Sequence, residues 1–112
     1  MMERHFHEEL RTLEERLSAM GALVEQRTLD AVLALREQRP DLAVQVASGG
    51  GPVDELELEI DDLCLKLLAT QNRVGSDLRM VRSIMKANTD LERIGDQAVT
   101  IAQVAIKLLE VP

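Results

Sequence analysis

Aromatic residues are nearly missing from this chain: of 112 residues, Phe6 is the sole aromatic, and there is no Tyr and no Trp. The β-branched and aromatic side chains that strands favour are too few to build a sheet. Disulfides are excluded too, since Cys64 is the single cysteine and a stapled secreted domain needs pairs. Cys64 reads instead as a small buried apolar side chain. Positive charge is scarce: 13 Lys and Arg stand against 20 Asp and Glu, a net charge of −7. Nucleic acid, whose phosphates need basic side chains, is therefore not an expected partner, and neither is an anionic membrane surface. A basic partner surface or a bound cation fits better. No apolar run of ~18 residues is present, so nothing is expected to insert in a membrane. The opening "MMERHFHEEL" is charged and lacks an apolar signal segment, which makes a cytoplasmic protein the expectation.

What remains is Leu, Ile, Val, Ala and Met at helical spacing. Phe6, Leu10, Leu13, Leu17, Met20, Val24 and Ala31 alternate steps of four and three, a heptad seam in which Arg27 fills the one missing slot and Leu35, four residues further on, is expected to extend it. Pro40 stops this helix, because its ring disfavours a helical residue before it. The spacing predicts a first helix over about 3–38 and a short helical piece over about 40–47. The "SGGGP" break follows, since three glycines cost too much backbone entropy to continue a helix. A second helix is expected over about 52–71, with Pro52 in its first turn and a stripe of Val53, Leu56, Ile60, Leu63, Cys64 and Leu67. "NRVG" reads as a short turn, which favours an antiparallel neighbour. Ser76 is the candidate N-cap of a third helix over about 76–110, whose stripe includes Ile84, Leu91, Ala98, Ala102 and Leu109. The expected fold is all-α: one domain, an elongated antiparallel three-helix bundle.

Carboxylates break the apolar pattern in two places. In "DLERIGDQA", Glu92 and Asp96 lie one turn apart beside the core stripe. Counting in sevens, Glu92 shares its column with Leu78, Met85 and Val99. "ELEID" repeats the arrangement with Glu57, whose column holds Cys64, and Asp61, whose column holds Leu68. Like charges four apart repel by a few tenths of a kcal/mol, and partial burial adds to that cost. A hard cation reverses the sign, and oxygen-only ligation suits Mg²⁺, Ca²⁺, Mn²⁺ or iron. The competing reading is a solvated acidic face paired with Arg79, Arg82 or Arg93. A simple hairpin about 72–75 puts Asp61 opposite Lys86 rather than Glu92, a misalignment of ~9 Å.

Gly95 interrupts the third helix at a cost of ~1 kcal/mol relative to Ala. Either close helix packing or room for an ion beside Asp96 accounts for it. Met20, Met80 and Met85 read as core or edge filler. His5 and His7, two apart, point to different faces and read as surface residues, so a di-iron site with Glu-x-x-His motifs is not supported. No phosphate-cradling glycine loop, zinc pattern or nucleophilic triad is present, which argues against an enzyme.

"FHEELRTLEERLSAMGALVE", "ELEIDDLCLKLLA", "SDLRMV" and above all "DLERIGDQA" resemble the PhoU family of phosphate-signalling accessory proteins, from about Phe6 to Leu109. The resemblance implies an all-helical fold, usually two tandem three-helix repeats, of which this chain matches the first. It implies metal ligands at Glu57, Asp61, Glu92 and Asp96 for iron, manganese, magnesium or zinc. Asp90 and Arg93 are candidate supporting or partner-contacting residues. It further implies negative regulation of phosphate uptake and of the phosphate-starvation response. The implied partners are the ATPase subunit of a phosphate ABC transporter and a sensor histidine kinase. A homodimer is expected where a single repeat stands alone. The rival function is an interaction module whose acidic face docks a basic partner with no functional metal. Two departures from the family lie in the loops: "SGGGPVDEL" replaces a more ordinary link, and "QNRVGSDLR" lacks a proline common there.

Overall fold

Four helices form where the apolar periodicity runs, in a computed structural model that describes residues 2–69 and 75–110, with side chains from His5 onward. They are α1 Met2–Arg36, α2 Pro40–Ser48, α3 Gly51–Leu68 and α4 Gly75–Glu110. α1 and α4 are parallel rails: Val24 packs near Gly95, Ala31 with Ala98 and Ala102, and Ala34 with Ala105. α2 and α3 run the other way, end to end, as one interrupted third helix. Leu42 and Ala43 pack beside Ala34 and Ala105, and Val46 beside Ala31 and Ala98. Below the interruption Val53 reaches Gly95, and Arg16 pairs with Glu59 at 2.6 Å. The result is a rod of 64 × 17 × 17 Å with a radius of gyration of 17.6 Å, against about 13 Å for a spherical domain of this length. The three-helix bundle expected from periodicity is the observed architecture.

The core changes character along the rod. The α1–α3–α4 section is filled by Phe6, Leu13, Met20, Val24, Ile60, Cys64, Leu67, Val81 and Ile84. The α1–α2–α4 section is lined mostly by Ala31, Ala34, Ala43, Ala98, Ala102 and Ala105. Small side chains let the short α2 lie close to both rails.

Two expectations need correction. Leu35 was placed on the buried seam but is 38% exposed, while Ala34 is fully buried. Ala34 stands four heptads after Phe6 and three residues after Ala31, so the strict alternation of four and three runs through it and Leu35 falls one residue off the seam. Ser76 was expected to cap the third helix, but α4 already begins at Gly75. The expected turn through Asn72 and the end of the second helix at Gln71 lie outside the described residues. Met20 is core, as expected, while Met80 is 47% exposed.

α1 ends at Arg36 by a left-handed turn. Gln38 takes φ 55°, and Arg39 N–H donates to Ala34 O at 2.9 Å, the six-to-one bond of a Schellman-type ending. Arg39 is extended, with φ −110° and ψ 94°, as the residue before a proline must be. At the other end of α2, the Arg27 slot explains itself. Arg27 is only 8% exposed, and its guanidinium donates to Val46 O at 2.6 Å and Gly49 O at 2.9 Å. A cation thus caps carbonyls at the C-terminal end of α2, where the helix dipole favours it. A Cβ on Gly49 would lie 2.7 Å from Gln45 O and 2.9 Å from Arg27 Nη1, so that position is held to glycine by space. Gly50 and Gly51 face open space.

Candidate functional site

Two contacts set the register of α3 against α4. Asn88 Nδ2 donates to Glu57 O at 3.1 Å, and Cys64 Sγ lies 4.0 Å from Val81 O. With the helices antiparallel, Glu57 is then level with Asn88, Glu92 with Val53, and Asp61 with Ile84. Each Cα–Cβ bond tilts toward its helix N-terminus. In an antiparallel pair those tilts make Glu57 and Glu92 lean toward each other. Asp61 stays about 12 Å down the axis from Glu92, at 1.5 Å per residue.

The electrostatics follow this layout. The Glu92 carboxyl sits above the usual glutamate range, first through a side-chain hydrogen bond to Asp96, then through burial and the fields of Asp96, Glu57 and Asp54. Glu57 is raised as well, mainly by burial, then by Asp54, Asp96 and Asp61. Burial also pushes the Cys64 thiol up to about 11, with Asp61 adding to it. The thiol is therefore protonated at neutral pH and unsuited to bind metal as a thiolate.

Of the four acids expected from sequence, Glu57, Glu92 and Asp96 form one group, and Asp61 adjoins it through Glu57 alone. Asp54 belongs to the group and was missed, although it lies three residues before Glu57 and so on the same helical face. Asn88 was missed too. Its signal was a polar residue in the column of Val81, Gly95 and Ala102. It is 3% exposed, and its Oδ1 is buried with no hydrogen-bond partner. Asp90 turns to Lys86, 3.2 Å away, and Arg93 is exposed. Among the described residues the ion pairs lie away from the acids, so Arg79, Arg82 and Arg93 do not neutralise them. Arg79, Arg82 and Lys86 instead line a basic hollow of about 340 Å³. His5 pairs with Glu9 at 2.7 Å and His7 is exposed.

Gly95 is buried against both α1 and α3, yet a Cβ there would meet Val53 Cγ1 at 3.6 Å and Val24 Cγ2 at 3.7 Å. Those are ordinary contact distances, so close packing does not by itself demand glycine. Among the described residues no three His, Cys, Asp or Glu side chains converge into a ready metal cage. The donor chemistry nevertheless fits a hard cation: carboxylate oxygens, two glutamates whose negative charge is disfavoured, and an unpaired amide oxygen in the same α3–α4 interface.

The architecture is a three-helix rod with an acidic rim across α3 and α4. The chain matches the family model described as "PhoU domain" over residues 17–105, and it belongs to the PhoU family. It is 45% identical over 105 residues, 94% of this chain, to the phosphate-specific transport system accessory protein PhoU homolog of Pseudomonas putida, and covers 41% of that protein. It is 38% identical over 102 residues, 91% of this chain, to the PhoU protein of Escherichia coli K12, covering 42% of it. The crystal structure of PhoU from Pseudomonas aeruginosa superimposes with a TM-score of 0.91 at 43% identity, over 94% of this chain and 50% of that one. The chain thus spans about half the length of the relatives it matches. No described helix is long and apolar enough to cross a membrane.

Proposed function

We propose that this chain is a phosphate-signalling adaptor, not an enzyme, which restrains phosphate uptake and the phosphate-starvation response. It does so by contacting the transporter ATPase subunit and a sensor histidine kinase in the cytoplasm, and by pairing with a second copy of the chain. The observation that carries the reading is the likeness to phosphate transport accessory proteins over 94% of this chain. A cation held by Glu57, Asp61, Glu92 and Asp96 belongs to the same proposal. It draws support from the raised glutamates and from acids that no arginine neutralises. When bound, the cation supplies the positive charge the rim lacks and ties α3 to α4. Iron, manganese, magnesium and zinc are the candidates, the first three matching an all-oxygen set best.

The test is Glu92→Ala combined with Asp96→Ala. Elemental analysis of the purified double variant is expected to show metal lost, with the helical circular dichroism kept. Unchanged metal content would remove the site. A second reading has its own observation: no three of the acids converge among the described residues, which suits a docking face for a basic partner. In that case high salt weakens partner binding while chelator leaves it alone.

A further inference from the structure

Asn88 is the anomaly of the α3–α4 interface. It is 3% exposed in a helix whose other buried positions are Val81, Ile84, Gly95, Ala98, Ala102 and Ala105. One end of its amide is used: Nδ2 donates across the interface to Glu57 O. That carbonyl belongs to the turn that carries the Glu57 carboxylate, so the bond holds that turn at a fixed height against α4. One turn further along α4 stands Glu92, which shares a field with Glu57. The other end, Oδ1, is buried and unpaired. Leaving such an acceptor unmade is destabilising, and a Leu of similar volume would avoid it. An orphan oxygen in the interface that carries these acids gains a partner when a cation, or water in its shell, arrives.

We propose that Asn88 is a positioning residue of the cation site, an inference that rests on the metal-bound reading above. Its N–H end sets the height of Glu57 opposite Glu92, and its oxygen end adds a neutral acceptor to an otherwise wholly anionic set. Groups that orient metal ligands change metal affinity by about 10- to 100-fold when removed.

The experiment compares the wild-type chain with Asn88→Leu, using Mn²⁺ alone as the probe. Mn²⁺ affinity is followed by titration calorimetry and the unfolding temperature is read with and without the ion. The expected result splits the two readouts. Asn88→Leu unfolds, metal-free, at or above the wild-type temperature, because an unpaired oxygen has been removed. It binds Mn²⁺ at least tenfold more weakly and loses most of the Mn²⁺-induced rise. If Leu is not accommodated, Asn88→Ala is read by affinity in the same way. Mn²⁺ binding within twofold of wild type in the folded variant overturns the role of Asn88 and leaves the site standing. Absence of Mn²⁺ binding by the wild-type chain overturns the site itself, and Asn88 with it.

Discussion

Replacing Arg27 by Met keeps the length and apolar stem of the side chain and removes two charge-assisted hydrogen bonds, to Val46 O and Gly49 O. Each such bond contributes about 1.5–3 kcal/mol. Against that stands the relief of no longer burying a guanidinium that is 8% exposed, a cost of several kcal/mol when the charge has no anionic partner. Water also reaches the half-exposed Gly49 and can replace one bond. The balance of these opposing contributions is a loss of roughly 1–2 kcal/mol, or about 5 °C in melting temperature for a chain of this size. Urea unfolding followed by far-UV circular dichroism measures it, and hydrogen exchange locates it, with amides of α2 losing protection first. A cycle with Gly49→Ala tests the cause. The added Cβ meets Arg27 Nη1, so the two changes share a partner and their effects should fall short of additive by at least ~0.5 kcal/mol. Should Arg27→Met prove as stable as wild type, or the cycle strictly additive, the idea that this side chain latches α2 to α1 is wrong.

Other outcomes follow from the same geometry. Glu92→Gln should stabilise the metal-free chain at neutral pH. A carboxyl whose folded pKa is raised costs stability above that pKa, and the cost fades as pH falls through it and vanishes below the unfolded value. The Gln advantage should therefore shrink from neutral pH toward the ordinary glutamate range, in urea titrations at several pH values; an advantage that grows on acidification would contradict the sign. Gly50→Ala, which points into open space, should add ~0.5–1 kcal/mol, whereas Gly49→Ala should destabilise. Gly95→Ala, at ordinary contact distance from Val24 and Val53, should gain up to ~1 kcal/mol. If it also weakens Mn²⁺ binding, the glycine serves the acids beside it rather than packing.

Much of the architecture was legible because it rests on periodicity. The seam from Phe6 to Ala31 and the α3 stripe from Val53 to Leu67 follow helical spacing, and Pro40 marks a real stop. Leu35 misled because its size outweighed its spacing: the repeat of seven falls on the smaller Ala34, which packs against α2 and α4. Arg27 was visible as a gap in the seam, but its purpose was not, because the carbonyls it caps arrive from about twenty residues away. The acids were found as pairs within helices. Their grouping across helices depends on the stagger of α3 against α4, which spacing within either helix cannot encode. That stagger enrols Asp54 and sets Asp61 at the edge.

Two of the rod's three edges are unbroken helices over most of its length, and the third is cut at Gly49 and Gly50. Such an object is stiff in the plane of its intact edges and compliant toward the cut, like a beam notched on one side. Asp96 and the first turn of α3 stand beside that notch. A ligand drawing Asp54 and Glu57 onto α4 therefore braces the beam at its weakest cross-section, and the stiffness of the whole rod is set from there.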